Sequence, residues 1–190
     1  MLIVISGPSG SGKGTIIKEV LKKMPDLIYS ISYTTRPKRE GEIEGKDYFF
    51  IDDNKFEELI EKDFFLEWAK VYDYYYGTSK DFVLDRLNEG KDIILEIEIQ
   101  GAKKIKEIYN KKCVVFIFIA PPDFNELKRR ILNRKRGESD EEINKRMNFA
   151  KKEIEESKNY DYIVINDNIS KATKKIIDII NKERRKIDGC

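Results

Sequence analysis

Histidine is absent from all 190 positions. Without imidazole the chain can build neither a Ser-His-Asp nor a Cys-His nucleophile system, nor a metal site that relies on histidine nitrogen. Its chemistry has to run on lysine, arginine, carboxylates, hydroxyls and backbone. Cysteine is nearly absent too. Cys113, inside an apolar run, and Cys190, the last residue, are too few and too badly placed for a disulfide framework, which fits a reducing compartment. No stretch approaches the roughly 18 apolar residues of a membrane span, and the first residues lack the basic, apolar, small-residue pattern of a cleaved leader. Neither charge sign dominates: 37 basic against 35 acidic side chains leave a formal net charge of +2. That is no global field of the kind that draws a protein onto nucleic acid, so an anionic partner has to be bound locally. The expectation is a soluble, cytoplasmic protein with no membrane and no nucleic-acid partner. Nothing in the sequence marks a homo-oligomer.

What is present is an alternation of apolar runs and helical patterns, the mark of parallel strands joined by crossover helices. Buried strands are expected at 2–6 (LIVIS), 28–31, 92–97 (DIILEI), 113–119 (CVVFIFI) and 161–165 (DYIVI). Helices are expected at 13–24 and near 101–110, 123–135, 139–158 and 170–186. The fold class is therefore α/β, with about five parallel strands flanked by helices. Residues 32–80 break the rhythm. They are rich in Tyr and Phe, alternate in DYFFI and FFLEWAKVY, and hold one short helical pattern at 53–62, which suggests an inserted lobe with its own small sheet. A charged stretch at 126–146, interrupted by Gly137, suggests a helical lid. With no repeats or Pro/Ser-rich linker, 1–190 is expected to be one domain: core 1–31, 81–125 and 147–190, lobe 32–80, lid 126–146.

Gly7-Pro8-Ser9-Gly10-Ser11-Gly12-Lys13 follows a strand and opens a helix, the context that gives a GxxxxGK pattern its meaning. The glycines let successive backbone N–H groups face one concavity, the helix N-terminus adds partial positive charge, and Lys13 reaches for β- and γ-phosphates. The residue after the lysine is Gly14, and a hydroxyl appears only at Thr15.

Further along come ISYTTRPKREGEIEGKDYFF, FLEWAKVYDYYYGTS, ILEIEIQGA, FIAPP and INKRM. In order and spacing, from residue 3 to about 168, these motifs resemble guanylate kinase, a P-loop nucleoside monophosphate kinase. The resemblance implies ATP-dependent phosphorylation of GMP, and of dGMP, to GDP or dGDP, with Mg2+ as cofactor. ATP would be held by Gly7, Pro8, Ser9, Gly10, Ser11, Gly12, Lys13, Gly14, Thr15 and Asn168, and magnesium by Thr15 and, through water, Glu96. GMP would be held by Ser32, Arg36, Arg39, Tyr48, Glu67, Tyr76, Thr78 and Glu98. The catalytic charges would be Lys13, Arg39, Arg130, Arg136 and Arg146, with Arg134 the alternative to Arg136 because the spacing there is one residue longer than usual.

The residue chemistry agrees with these roles. Guanidinium forks match phosphate bidentately, and two of them with a phenol hold a dianion in one orientation. Guanine presents two donors on its Watson-Crick edge, so a carboxylate at Glu67, with Thr78 and Ser32, suits it, whereas adenine would leave that carboxylate unpaired. Glu96 and Glu98 alternate at the end of a predicted strand, where an α/β protein places ligand chemistry. Glu98 stands where aspartate is usual.

Three other functions compete. One is a nucleoside monophosphate kinase with another acceptor. The second is a binding module of the same fold without catalysis, which the presence of Lys13, Arg36, Arg39, Tyr48 and Glu67 opposes. The third is RNA binding through the basic run 128–136.

Overall fold

The structure is a computed structural model that describes residues 1–109, 113–133 and 140–186. In chain order the elements are β1 (Leu2–Ser6), α1 (Lys13–Lys23), β2 (Ile28–Ser30), β3 (Tyr33–Thr34), β4 (Phe49–Phe50), α2 (Asp53–Glu61), β5 (Phe65–Val71), β6 (Tyr74–Ser79) and α3 (Lys80–Asn88). Then follow β7 (Ile93–Glu96), α4 (Ile99–Ile108), β8 (Val114–Ala120), α5 (Phe124–Leu132), α6 (Asp140–Glu156), β9 (Tyr162–Ile165) and α7 (Ile169–Arg184). Five strands form one sheet in the order β2-β7-β1-β8-β9, and four form a second in the order β4-β3-β6-β5. The chain is α/β, as expected. β1 is buried along its whole length and β8 along all but its last residue, which is why both read as unbroken apolar runs: a parallel strand is covered on both faces.

By contact the chain divides into two units. Among the described residues the first comprises Met1–Val4 and Asp26–Val114, and the second comprises Ile5–Pro25 and the chain from Val115 onward. In the first, β2 pairs in parallel with β7, and Ile93, Ile94 and Leu95 are fully buried. The lobe within it has a mixed sheet, β3 running parallel to β4 and antiparallel to β6, and β5 antiparallel to β6. Its aromatic residues are its core. Phe56 of α2 is fully buried and stacks on Phe65 at 4.4 Å and on Tyr75 at 5.1 Å, and Tyr33 stacks on Phe49 at 4.7 Å. Asp52 caps α2 by accepting from Lys55 N–H at 2.7 Å.

In the second unit β8 pairs in parallel with β9. Helix α1, with Ile16, Ile17 and Val20 inward, packs on α7, and Leu127, Ile131, Met147 and Ala150 form the core between α5 and α6.

Three local features differ from the sequence expectation. Helix α3 has no counterpart in it. Only Val83 of that helix is buried, so its apolar periodicity is thin, and its start is marked by Ser79, whose hydroxyl accepts from Phe82 N–H at 3.4 Å. Helix α4 begins at Ile99, with Ile99, Ala102 and Ile105 inward, so Glu98 is its N-cap residue and lies outside β7, which ends at Glu96. The predicted alternation of Glu96 and Glu98 on one strand is thereby corrected: the 3.6-residue spacing of the apolar side chains takes over two residues earlier than expected. Lastly, Cys113 is disulfide-bonded, which a reading of reduced thiols does not anticipate; Cys190 lies outside the described residues.

Candidate functional site

The glycine-rich loop leaves β1 and enters α1 as its motif predicts. Ser11 N–H closes a turn onto the Pro8 carbonyl at 3.0 Å, and Ile16 N–H reaches the Gly12 carbonyl at 3.1 Å. Gly12 has φ 92°, and a Cβ built on it would lie 2.4 Å from Asn166 Nδ2, so glycine is required both by conformation and by space. The Lys13 ammonium donates to the Gly7 carbonyl and, at 3.5 Å, to that of Pro8. Ser9 is half-buried, Gly14 is the second residue of α1, and Thr15, the third, is exposed.

Two residues brace this loop. Asn166 Nδ2 donates to the Ser11 carbonyl at 2.7 Å, while Asn166 N–H donates to Ala120 at the end of β8 at 2.8 Å. Arg130 on α5 donates to the Asn166 carbonyl at 3.0 Å and to the Ser11 carbonyl at 3.4 Å. Asn168, the residue expected at ATP, is the N-cap of α7 and accepts from Lys171 N–H at 3.1 Å. In the sequence Asn166 belongs to the turn segment Ile165-Asn166-Asp167-Asn168, which the family resemblance sets beside the adenine of ATP, and its bond to the Ser11 carbonyl is a contact that segment does not reveal. Arg146 lies half-buried on α6. Arg134 and Arg136 are outside the described residues. In the described part of the basic run, Arg129 and Arg130 both pair with Glu126, and their hydrogen bonds hold its carboxyl down to about 2. One carboxylate thus offsets one of the two positive charges within the helix.

The first unit gathers the residues expected at GMP. Arg36 is 6% exposed; its guanidinium lies 5.3 Å from the Tyr48 ring centroid and 5.7 Å from that of Phe50. Tyr48 meets Tyr76 edge-on at 6.0 Å. Burial raises both phenols, with the Glu96 charge the next cause at Tyr48 and Arg36 pulling the other way at Tyr76, so both are neutral donors at neutral pH. Arg36 is bonded to Glu42 at 2.7 Å. Arg39 is on the exposed part of the same loop, and Ser32 is buried just before β3.

Glu67 and Thr78 lie opposite each other in the β5–β6 pairing, next to a shift in register between Phe65 and Glu67. Because of that irregularity Phe65, Leu66 and Glu67 are all buried, and the strict alternation that would put Glu67 outward fails. Thr78 Oγ1 donates to Glu67 Oε1 at 2.5 Å. Burial lifts the Glu67 carboxyl from an ordinary 4.5 to about 7; the Thr78 bond and the Lys104 charge oppose the rise, and Glu98 adds to it. Helix α4 comes close: a Cβ on Gly101 would lie 2.0 Å from Glu67 Oε2, and Lys104 donates to the Trp68 carbonyl at 2.6 Å. Glu98 is half-buried, and Glu96 accepts from the Tyr29 hydroxyl at 3.2 Å. Glu42 and Lys104 were not singled out from the sequence.

A family model described as guanylate kinase matches residues 1–183. The guanylate kinase of Caldanaerobacter subterraneus subsp. tengcongensis is 54% identical over 189 residues, 99% of this chain and 90% of its own length. That of Clostridioides difficile is 49% identical over 187 residues, 98% and 90% of the two. Among solved structures, the crystal structure of guanylate kinase from Anaplasma phagocytophilum has a TM-score of 0.81 at 32% identity, covering 96% of this chain and 85% of that one. No helix among the described residues is long and apolar enough to cross a membrane.

Proposed function

The chain belongs to the guanylate kinase family and catalyses ATP-dependent phosphorylation of GMP to GDP, and we propose that the residues described above divide that reaction as follows. The loop from Gly7 to Lys13 binds the ATP phosphates through its backbone N–H groups. Arg36, Arg39, Tyr48 and Tyr76 hold the GMP phosphate, while Glu67, with Thr78 and Ser32, reads guanine. The observation that carries this division is the bond between the buried Glu67 and Thr78 side chains: in its ionised form Glu67 is an acceptor fixed there, matched by the N1–H and N2–H donors of guanine and opposed by adenine N1.

The chemistry needs no general base. The second pKa of a phosphate monoester is near ~6, so the attacking oxygen of GMP is already largely anionic at neutral pH, in keeping with a chain without histidine. The protein's task is positioning and charge. Lys13, Arg39, Arg130, Arg146 and one of Arg134 or Arg136 stabilise the negative charge that accumulates on the transferring group. Asn168 and the neighbouring Asn166 segment border the ATP subsite, and Glu98 borders GMP.

Mg2+ is the proposed cofactor. Among the described residues no cluster of three or more Asp, Glu or Cys side chains is placed to cage a cation. The Thr15 hydroxyl is exposed in the first turn of α1 and the Glu96 carboxylate is half-buried at the end of β7; each is an oxygen donor of the kind that suits Mg2+. Thr15 and, through water, Glu96 would be the residues that hold it, and when bound it would supply positive charge to the nucleotide phosphates.

The test is ADP release from MgATP with GMP, dGMP, AMP, UMP and dTMP offered separately, beside a control without acceptor. Turnover with GMP far above AMP and the pyrimidines supports the assignment; turnover with AMP instead overturns the guanine pocket.

A further inference from the structure

Glu42 touches both arginines assigned to the GMP phosphate. Its Oε1 accepts from the Arg36 guanidinium at 2.7 Å and its Oε2 from the backbone N–H of Arg39 at 2.8 Å. The turn between them is closed by Glu42 N–H bonding the Arg39 carbonyl at 3.2 Å. Residues 37–41 are all exposed, so this stretch has little packing to hold it, and the carboxylate of Glu42 is what ties it to the buried Arg36. The guanidinium is fixed from its other side by the Pro37 carbonyl at 2.7 Å and by the Tyr48 and Phe50 rings. A buried guanidinium without a counter-charge is costly, and Glu42 supplies that charge while leaving Arg36 aimed at Tyr48 and Tyr76.

We propose that Glu42 is a positioning residue for the acceptor phosphate: it holds Arg36 and the loop 36–42 in the arrangement that receives the dianion before GMP arrives. This rests on the assignment of Arg36 and Arg39 to the GMP phosphate. Two effects oppose each other. A carboxylate near a phosphate repels it, but its charge is already offset by the guanidinium it pairs with. Ordering five exposed residues at the moment of binding has a large entropic cost, which a loop ordered in advance avoids. The second effect wins.

The experiment is isothermal titration of GMP and of guanosine into the purified protein, its Glu42→Gln variant and, as a reference, Arg36→Ala. In Glu42→Gln the GMP affinity falls about tenfold, the scale of one charge-assisted hydrogen bond, while guanosine affinity stays as it was. In steady-state assays the KM for GMP rises and that for ATP does not. An unchanged GMP affinity overturns the proposal. A tightened one does so as well, because it makes Glu42 a competitor for Arg36, and an equal loss for GMP and guanosine reduces Glu42 to a general structural role. If Arg36→Ala binds GMP normally, the phosphate assignment falls first and the proposal with it; if Arg36→Ala is weakened and Glu42→Gln is not, the proposal alone fails.

Discussion

Glu67 Oε1 and Thr78 Oγ1 are 2.5 Å apart on neighbouring antiparallel strands of the lobe, in a place with almost no solvent. The pair puts a carboxyl group with an ionisation near neutrality at the position proposed to read the base.

Recognition of guanine is therefore expected to weaken as pH falls through about 7, because protonation turns an acceptor into a donor facing guanine's own donors. Guanosine separates this effect from the titration of the GMP phosphate. Its affinity in the native protein should drop between pH 8 and pH 6, and in Glu67→Gln it should be weak and flat over the same range. A flat profile in the native protein would remove Glu67 from base recognition.

The same group sets a stability trend of definite sign. Its folded pKa lies above the ordinary 4.5, so the folded state binds more protons than the unfolded state between about 4.5 and 7. Its contribution is fully present below the lower value and is lost as pH rises to the upper one, at most roughly 3 kcal/mol at 1.36 kcal/mol per unit. Urea unfolding of ligand-free protein at pH 5 and pH 8, compared with Glu67→Gln, measures it: the difference between the two pH values should shrink in the variant.

Gly101→Ala should improve the helix and harm the function. Alanine in a helix interior is favoured over glycine by about 0.5–1 kcal/mol, yet the added Cβ would lie 2.0 Å from Glu67 Oε2 and displace the carboxylate. The expected result is a KM for GMP raised at least tenfold, on the order of one lost hydrogen bond to a charged group, with the KM for ATP unchanged. Equal KM values in variant and native protein would show that the pocket absorbs the methyl group.

Lys13→Ala should lower kcat by about two to three orders of magnitude, the usual scale for removing one transition-state charge donor. Its bonds to the Gly7 and Pro8 carbonyls are local to the loop, so thermal unfolding should move little. Near-normal turnover would take the loop lysine out of the mechanism.

Phe56→Ala should destabilise by about 3–5 kcal/mol, since the ring is fully buried between Phe65 and Tyr75. A denaturant midpoint within error of the native one would contradict the aromatic core of the lobe.

The glycine loop, β1 and β8 are legible in the sequence because their signals are local: fixed glycine spacing, and runs buried on both faces. Glu67 is legible as a residue of the family motif, but its burial depends on a register shift in a strand whose partner, β6, is set by tertiary pairing. Glu98 reads as a strand residue for a related reason, since a strand's two-residue period and a helix's first turn overlap over Ile97–Ile99. Asn166 reads as an ordinary turn residue, and only the folded chain brings it to the Ser11 carbonyl. Glu42 sits beside Arg36 and Arg39 in the sequence, where alternating charges look like a solvated loop. Its bonds to both depend on a turn that composition does not specify.

The missing side chain at Gly12 leaves a notch that Asn166 Nδ2 occupies. Positions 12 and 166 thus behave as one shape written in two distant parts of the chain. Transplanting the loop onto another strand–helix unit would carry the backbone curve without the amide that keys into it. A working graft has to bring the end of β9 along, and position 12 has to stay glycine even where 166 is made smaller, because its φ of 92° is strained for any side chain.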